Sequence, residues 1–113
     1  MGLSPEPKRA AHVVLRAPIA GFQYHAGPEL EAKLARDDTL TLVPEPHNPH
    51  DCHAVRIDWH GHTLGYVPRH AAPPIATALA TGQALRATLS SVEPDYPTRL
   101  RAFFLIEEGC AER

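Results

Sequence analysis

The residues between Pro44 and His62 hold most of the groups in this chain that could bind a metal or a ligand. His47, His50, Cys52 and His53 fall within seven residues, Asp51 lies among them, and His60 and His62 follow. Imidazole ligands suit zinc, copper or nickel. A structural zinc site, however, needs four converging ligands, usually drawn from two separated pairs. Here the ligand types crowd one proline-containing loop, where neighbouring side chains point in different directions. Solvated loop histidines account for the pattern more simply, and no metal site is assigned. The cysteines, Cys52 and Cys110, are far apart and form no Cys-x-x-Cys pair. That excludes a Cys-rich zinc site and argues against a disulfide framework.

Catalysis is the second chemistry to weigh. His25, Asp51, Cys52 and Asp58 could be combined on paper into an acid/base or nucleophilic set. Nothing in their spacing brings them together, and the chain contains no Gly-x-Ser-x-Gly, P-loop or HExxH segment. No enzyme activity and no cofactor are expected. Nucleic-acid binding is the third. Bases stack on aromatic side chains, and phosphates meet cations or amides, on loops around small β-barrels. Tyr24, His25, His50, Tyr66 and Arg69 have that chemistry. The plainer account makes Tyr24 and Tyr66 half-buried barrel residues whose hydroxyls reach solvent. Spacing alone does not choose between the two.

These residues must be positioned by short elements. The apolar run from His12 to Phe22 reads as a strand interrupted near Pro18. Gly21–Gly27 reads as a loop rich in polar and aromatic groups. Pro28–Arg36 reads as a helix, with proline at its start, Glu29 and Glu31 in its first turn, and Leu30 and Leu34 on one face. Thr39–Val43 is a β-branched strand. After the Pro44–His53 loop, Val55, Ile57 and Trp59 alternate with Arg56 and Asp58, as in a half-buried strand. His60-Gly61 has the form of a two-residue hairpin turn, leading into a strand over Thr63–Val67. Ala71–Thr81 reads as a helix stopped by Gly82. Strands are expected over Leu85–Ser90 and Leu100–Ile106, with a turn at Glu93–Pro97. About six short strands and one or two short helices favour a mainly β fold, a small barrel or a strongly bent sheet.

Composition sets the outer limits. At 113 residues the chain has the size of one domain, and 43% apolar residues suffice for a small core. Residues 1–11, with Pro5, Pro7 and charges, read as a disordered leader. Residues 12–108 form the folded unit, and 109–113 a polar tail. No apolar run is long enough for a membrane helix or shaped like a signal peptide, so a cytoplasmic protein is expected by default. The formal net charge of −2 argues against a strong nonspecific polyanion binder. It leaves room for a compact site that takes one strand or one end.

Three ordered blocks resemble the HIRAN domain family. They are Ala20-Gly21-Phe22-Gln23-Tyr24-His25-Ala26-Gly27, then Glu45-Pro46-His47-Asn48-Pro49-His50-Asp51 with Ala54-Val55-Arg56-Ile57, then Gly65-Tyr66-Val67-Pro68-Arg69. The resemblance runs from about His12 to Glu108. It implies an OB-like β-barrel of about six strands with short helices. In that family the domain lies at the N-terminus of fork-remodelling ATPases and also stands alone in bacteria, the form this chain resembles. It also implies capture of a single-stranded DNA 3′ end, with a pocket for the terminal hydroxyl. Binding would then serve DNA repair or stalled-fork processing beside repair helicases or nucleases.

Carried over, the resemblance puts Tyr24 and His25 against the terminal nucleotides. It puts Asn48 and Asp51 in the Asn-Pro-x-Asp block, with Asp51 accepting a bond from the 3′-hydroxyl. His50 replaces that block's usual tyrosine, Tyr66 takes a position that holds histidine in the DNA-binding homologue, and Arg69 keeps a positive charge near the phosphates. Gln23 and Pro44 depart from basic residues in the family. The alternatives are a metal-binding or hydrolase-associated module and a protein-interaction domain that binds no DNA.

Overall fold

A computed structural model describes residues 12–97 and 100–109. The expected leader lies outside the described residues, as does the expected tail apart from Gly109. Among the described residues, six strands form one antiparallel sheet: β1 (His12–Pro18), β2 (Thr39–Pro44), β3 (Val55–Trp59), β4 (His62–Tyr66), β5 (Leu85–Val92) and β6 (Ala102–Glu108). Their order across the sheet is β1-β6-β5-β2-β3-β4.

The sheet bends because β2 changes partner along its length. Thr39 and Leu40 pair with Thr88 and Ala87 of β5, whereas Thr41 to Pro44 pair with Asp58 to Val55 of β3. Bulges between Val13 and Leu15, between Leu89 and Ser91, and between Ile57 and Asp58 add local twist. The two outermost strands, β1 and β4, are brought back toward each other. Just past β1, Ala20 bridges Tyr66 at the end of β4, with Ala20 N–H donating to the Tyr66 carbonyl (2.8 Å) and Tyr66 N–H to the Ala20 carbonyl (2.9 Å). The result is a curled half-barrel with two short helices, an OB-like arrangement.

Side chains alternating along the strands fill the inside of the curl. Val55 and Ile57 of β3, Leu64 of β4, Leu89 of β5, and Phe104 and Ile106 of β6 are fully buried, with Ile19 and Phe22 at the bridge end. Helix α2 (Ala72–Ala80) lays Ala72 and Ile75 against this core. Its end is fixed by Gly82 N–H to the Leu79 carbonyl and Gln83 N–H to the Ala78 carbonyl, the paired bonds of a Schellman stop. The hairpin joining β3 to β4 turns on His60 and Gly61, both at positive φ (48° and 80°), as a two-residue type I′ turn requires.

Four elements differ from the sequence reading by two residues or more, and β2, β4 and α2 by one residue at one or both ends. The helix expected over Pro28–Arg36 is one turn, α1 (Gly27–Leu30), tightening into a 3-10 turn at Glu31–Lys33. It ends there because Leu34 turns extended to bury its side chain, and the Asp38 carboxylate takes the Ala35 N–H at 2.9 Å. The first strand stops at Pro18, and Phe22–Tyr24 instead make a 3-10 turn. Strand β5 runs on to Val92 because a bulge lets Ser91 and Val92 pair with β6. Strand β6 runs from Ala102 to Glu108, since its polar end pairs with His12 on one side and Leu85 on the other.

Candidate nucleic-acid interface

The loop between β2 and β3 is built from three successive turns. Asn48 N–H donates to the Glu45 carbonyl, Asp51 N–H to the Asn48 carbonyl and Ala54 N–H to the Asp51 carbonyl, at 3.0, 3.3 and 3.0 Å. Glu45 N–H closes the neck onto the Ala54 carbonyl at 2.9 Å. The sequence explains this three-residue period. Pro46 and Pro49 each sit second in a turn, where their fixed φ is favourable, and Asn48 and Asp51 sit first, where a short polar side chain can fold back. Asn48 Oδ1 accepts from the backbone N–H of His50 (2.8 Å) and Asp51 (3.2 Å), and Asp51 Oδ1 accepts from that of His53 (2.9 Å).

This loop, the end of β4 and the segment after it enclose a concavity of about 300 Å³, lined by Ala20, Asn48, His50, Asp51, Ala54, Tyr66, Val67 and Arg69. It lies at the seam where Ala20 bridges Tyr66. Five of the seven residues expected at a site therefore converge: Asn48, His50, Asp51, Tyr66 and Arg69. Arg69 donates to the His50 carbonyl at 2.7 Å, and its Nε stands 3.7 Å from Asp51 Oδ2. At that separation the pair is ionic without a hydrogen bond, so Oδ2 keeps lone pairs for a ligand. The Asp51 side chain is 21% exposed and that of Arg69 76%.

Tyr24 and His25 stand apart from the lining. They end the 3-10 turn anchored by buried Phe22, and Tyr24 is 79% exposed. The His25 ring reaches Tyr66 with a centroid separation of 5.7 Å and a tilt of 55°. It thus touches a wall of the concavity from outside. Among the described residues, no three His, Cys, Asp or Glu side chains converge as metal ligands. The loop histidines His47, His50 and His53 are exposed.

One group of residues was absent from the expected site. Glu45 Oε1 accepts from the Tyr66 hydroxyl (3.0 Å) and from Asn48 Nδ2 (3.1 Å), while Oε2 accepts from Arg56 (3.0 Å). Arg56 in turn holds Asp58 in a two-bonded fork at 2.9 and 3.1 Å. Hydrogen bonding to Asp58 pushes the Arg56 guanidinium further up, against an opposing effect of burial. Burial, followed by donation to Glu45, pushes the Tyr66 phenol above its ordinary value. The available signal was the period Glu45-Pro46-x-Asn48-Pro49-x-Asp51, which places Glu45 first in a turn like the other two.

A curled six-strand sheet with a lined concavity at its seam defines an OB-like β-domain. The family model described as HIRAN domain matches residues 12–106, and the chain belongs to that family, which is known for nucleic-acid-binding modules. No curated protein sequence matches significantly. Two solved structures share the fold. One is a protein from Lactobacillus plantarum, with 22% identity over 88% of this chain and 98% of that one, and a TM-score of 0.69. The other is the HIRAN domain of human HLTF, with 15% identity over 88% of this chain and 79% of that one, and a TM-score of 0.64.

Proposed function

We propose that this domain binds single-stranded DNA by a free 3′ end, without catalysing a reaction, and serves DNA repair or stalled-fork processing. The observation that carries this reading is the meeting of Asn48, His50, Asp51, Tyr66 and Arg69 around one concavity. Its volume is at the small end of ligand sites, suited to one terminal nucleoside rather than a long strand. Apolar Ala20, Ala54 and Val67 give a base or sugar a dry surface. The free lone pairs of Asp51 Oδ2 suit a hydroxyl donor, and the same carboxylate repels a phosphate in that place. On this reading Arg69, exposed beside it, meets the preceding phosphodiester.

The test is a fluorescence-polarisation titration of three labelled oligonucleotides, alike except for a free 3′-hydroxyl, a 3′-phosphate, or a blocked 3′ end offering only its 5′ end. The 3′-hydroxyl strand should bind at least tenfold more tightly, as expected for one hydrogen bond to a charged acceptor. Equal affinity for all three sinks end recognition. Asp51→Asn keeps an oxygen for the His53 amide but removes the charge, and should erase most of the preference.

A further inference from the structure

Arg69 ties the tip of the loop to the segment after β4, and Glu45 ties the base of the loop to the end of β4. One wall is the turn-built loop, reached through Asn48 Nδ2, and the other is the end of β4, reached through the Tyr66 hydroxyl. Both donors meet the same oxygen, Oε1, so the side chain ties its own loop to Tyr66, 21 residues further along the chain. The other oxygen is held by Arg56, itself fixed by Asp58. A carboxylate bonded at both oxygens has little rotational freedom. We propose that Glu45 is a positioning residue that sets the opening between the Asn48–Asp51 loop and the Tyr66 ring before any ligand arrives.

This inference rests on the DNA-end reading for what the opening holds, but not for the clamp itself. Preorganisation matters here because Asp51 on one wall and the Tyr66 ring on the other line one small space. A loop free to move away from β4 would have to be ordered at the moment of binding, at the expense of affinity. The Asn48 carboxamide already satisfies two backbone amides, so its remaining role is to transmit the position of Glu45 to the loop carrying Asp51. The Tyr66 hydroxyl is likewise committed to Glu45, which leaves its ring, not its oxygen, to face a ligand. Glu45 thus acts through other residues.

Replacing Glu45 leaves no unpaired guanidinium, because Arg56 keeps both bonds to Asp58. Glu45→Ala is therefore expected to fold, and circular dichroism checks it. Two readouts then apply. The first is ionisation of Tyr66, followed through its ring resonances as the pH is raised. In the wild type it should ionise above the ordinary value of 10.0. In Glu45→Ala it should move down toward that value without reaching it, since burial remains. The second is affinity for the 3′-hydroxyl oligonucleotide in wild type, Glu45→Ala, Tyr66→Phe and the double variant. Each single change should weaken binding roughly tenfold, and the double change should be no worse than either, because both remove one shared link.

Unchanged Tyr66 ionisation in folded Glu45→Ala overturns the proposal, as do strictly additive losses in the double variant. If Glu45→Ala does not fold, Glu45→Gln gives the same ionisation test, its neutral oxygen holding the phenol proton less strongly than a carboxylate. A wild type that binds all strand ends alike sinks the DNA-end reading instead. The ionisation result still decides whether Glu45 clamps Tyr66.

Discussion

Asn48 shows why residue identity in this loop is narrower than polarity alone demands. Its oxygen accepts two backbone amides and its nitrogen donates to Glu45. Aspartate could take over the oxygen's work, since Asn and Asp both serve at the first position of a turn. It cannot donate, and it would set a second carboxylate against Glu45. Asn48→Asp should therefore be destabilised by about 1.5–3 kcal/mol, the usual worth of a hydrogen bond to a charged group. Asn48→Ala should cost at least as much, because alanine loses all three bonds. Urea unfolding of the two variants measures the difference. An Asn48→Asp protein as stable as the wild type would mean that the bond to Glu45 contributes nothing. At this scale the sequence was readable in part. Asn48 and Asp51 stand out as turn residues next to prolines, and they do line the concavity. The turn period marks Glu45's place in the loop, but not the reach of its side chain across the fold to Tyr66 and Arg56.

Among the elements, the seam between β1 and β4 depends on the absence of a side chain at Gly65. A Cβ there would overlap the Ala20 carbonyl oxygen and Ile19 Cγ2, and the backbone sits at φ 153°. The clash is with backbone and a buried side chain, so neither neighbour can yield cheaply. Gly61, in the hairpin, has φ 80° and open space around it. Gly61→Ala should then cost only the left-handed penalty, roughly 1–2 kcal/mol. Gly65→Ala should cost more, about 2–4 kcal/mol, by adding overpacking to strain. It should also speed hydrogen exchange at the Ala20 and Tyr66 amides, which form the bridge. Equal costs at the two glycines would mean that the seam gives way easily. Element type was legible from alternation and turn chemistry: all six strands, the hairpin and helix α2 follow from them. The helix expected at Pro28–Arg36 was misjudged because Leu30 and Leu34 satisfy helical spacing, yet the core takes Leu34 from an extended chain. The seam itself was not legible, because it pairs residues 46 positions apart through backbone groups that every residue carries.

For the whole molecule, charge decides what kind of nucleic-acid binder this can be. Thirteen acidic residues against eleven Lys and Arg leave a net charge of −2, and among the described residues Arg69 is the one permanently charged cation lining the concavity. Arg69 is also partly neutralised by Asp51 at 3.7 Å. A protein that tracks a strand by its backbone neutralises many phosphates and loses affinity steeply with salt. A protein that grips an end by one pocket should not. With one or two phosphates neutralised, the slope of log K against log salt should be about −0.7 to −1.4 for single-stranded DNA. Raising salt from ~50 to ~200 mM should then weaken binding only roughly three- to sevenfold, against about 10³-fold or more for a binder that contacts many phosphates. If the proposed end recognition holds, lengthening the oligonucleotide at its 5′ side should add little beyond the first few nucleotides. The same polarisation assay, repeated at four salt concentrations and three strand lengths, measures both. A slope steeper than about −3, or affinity that keeps rising with length, would move the interface away from the concavity and onto an extended surface.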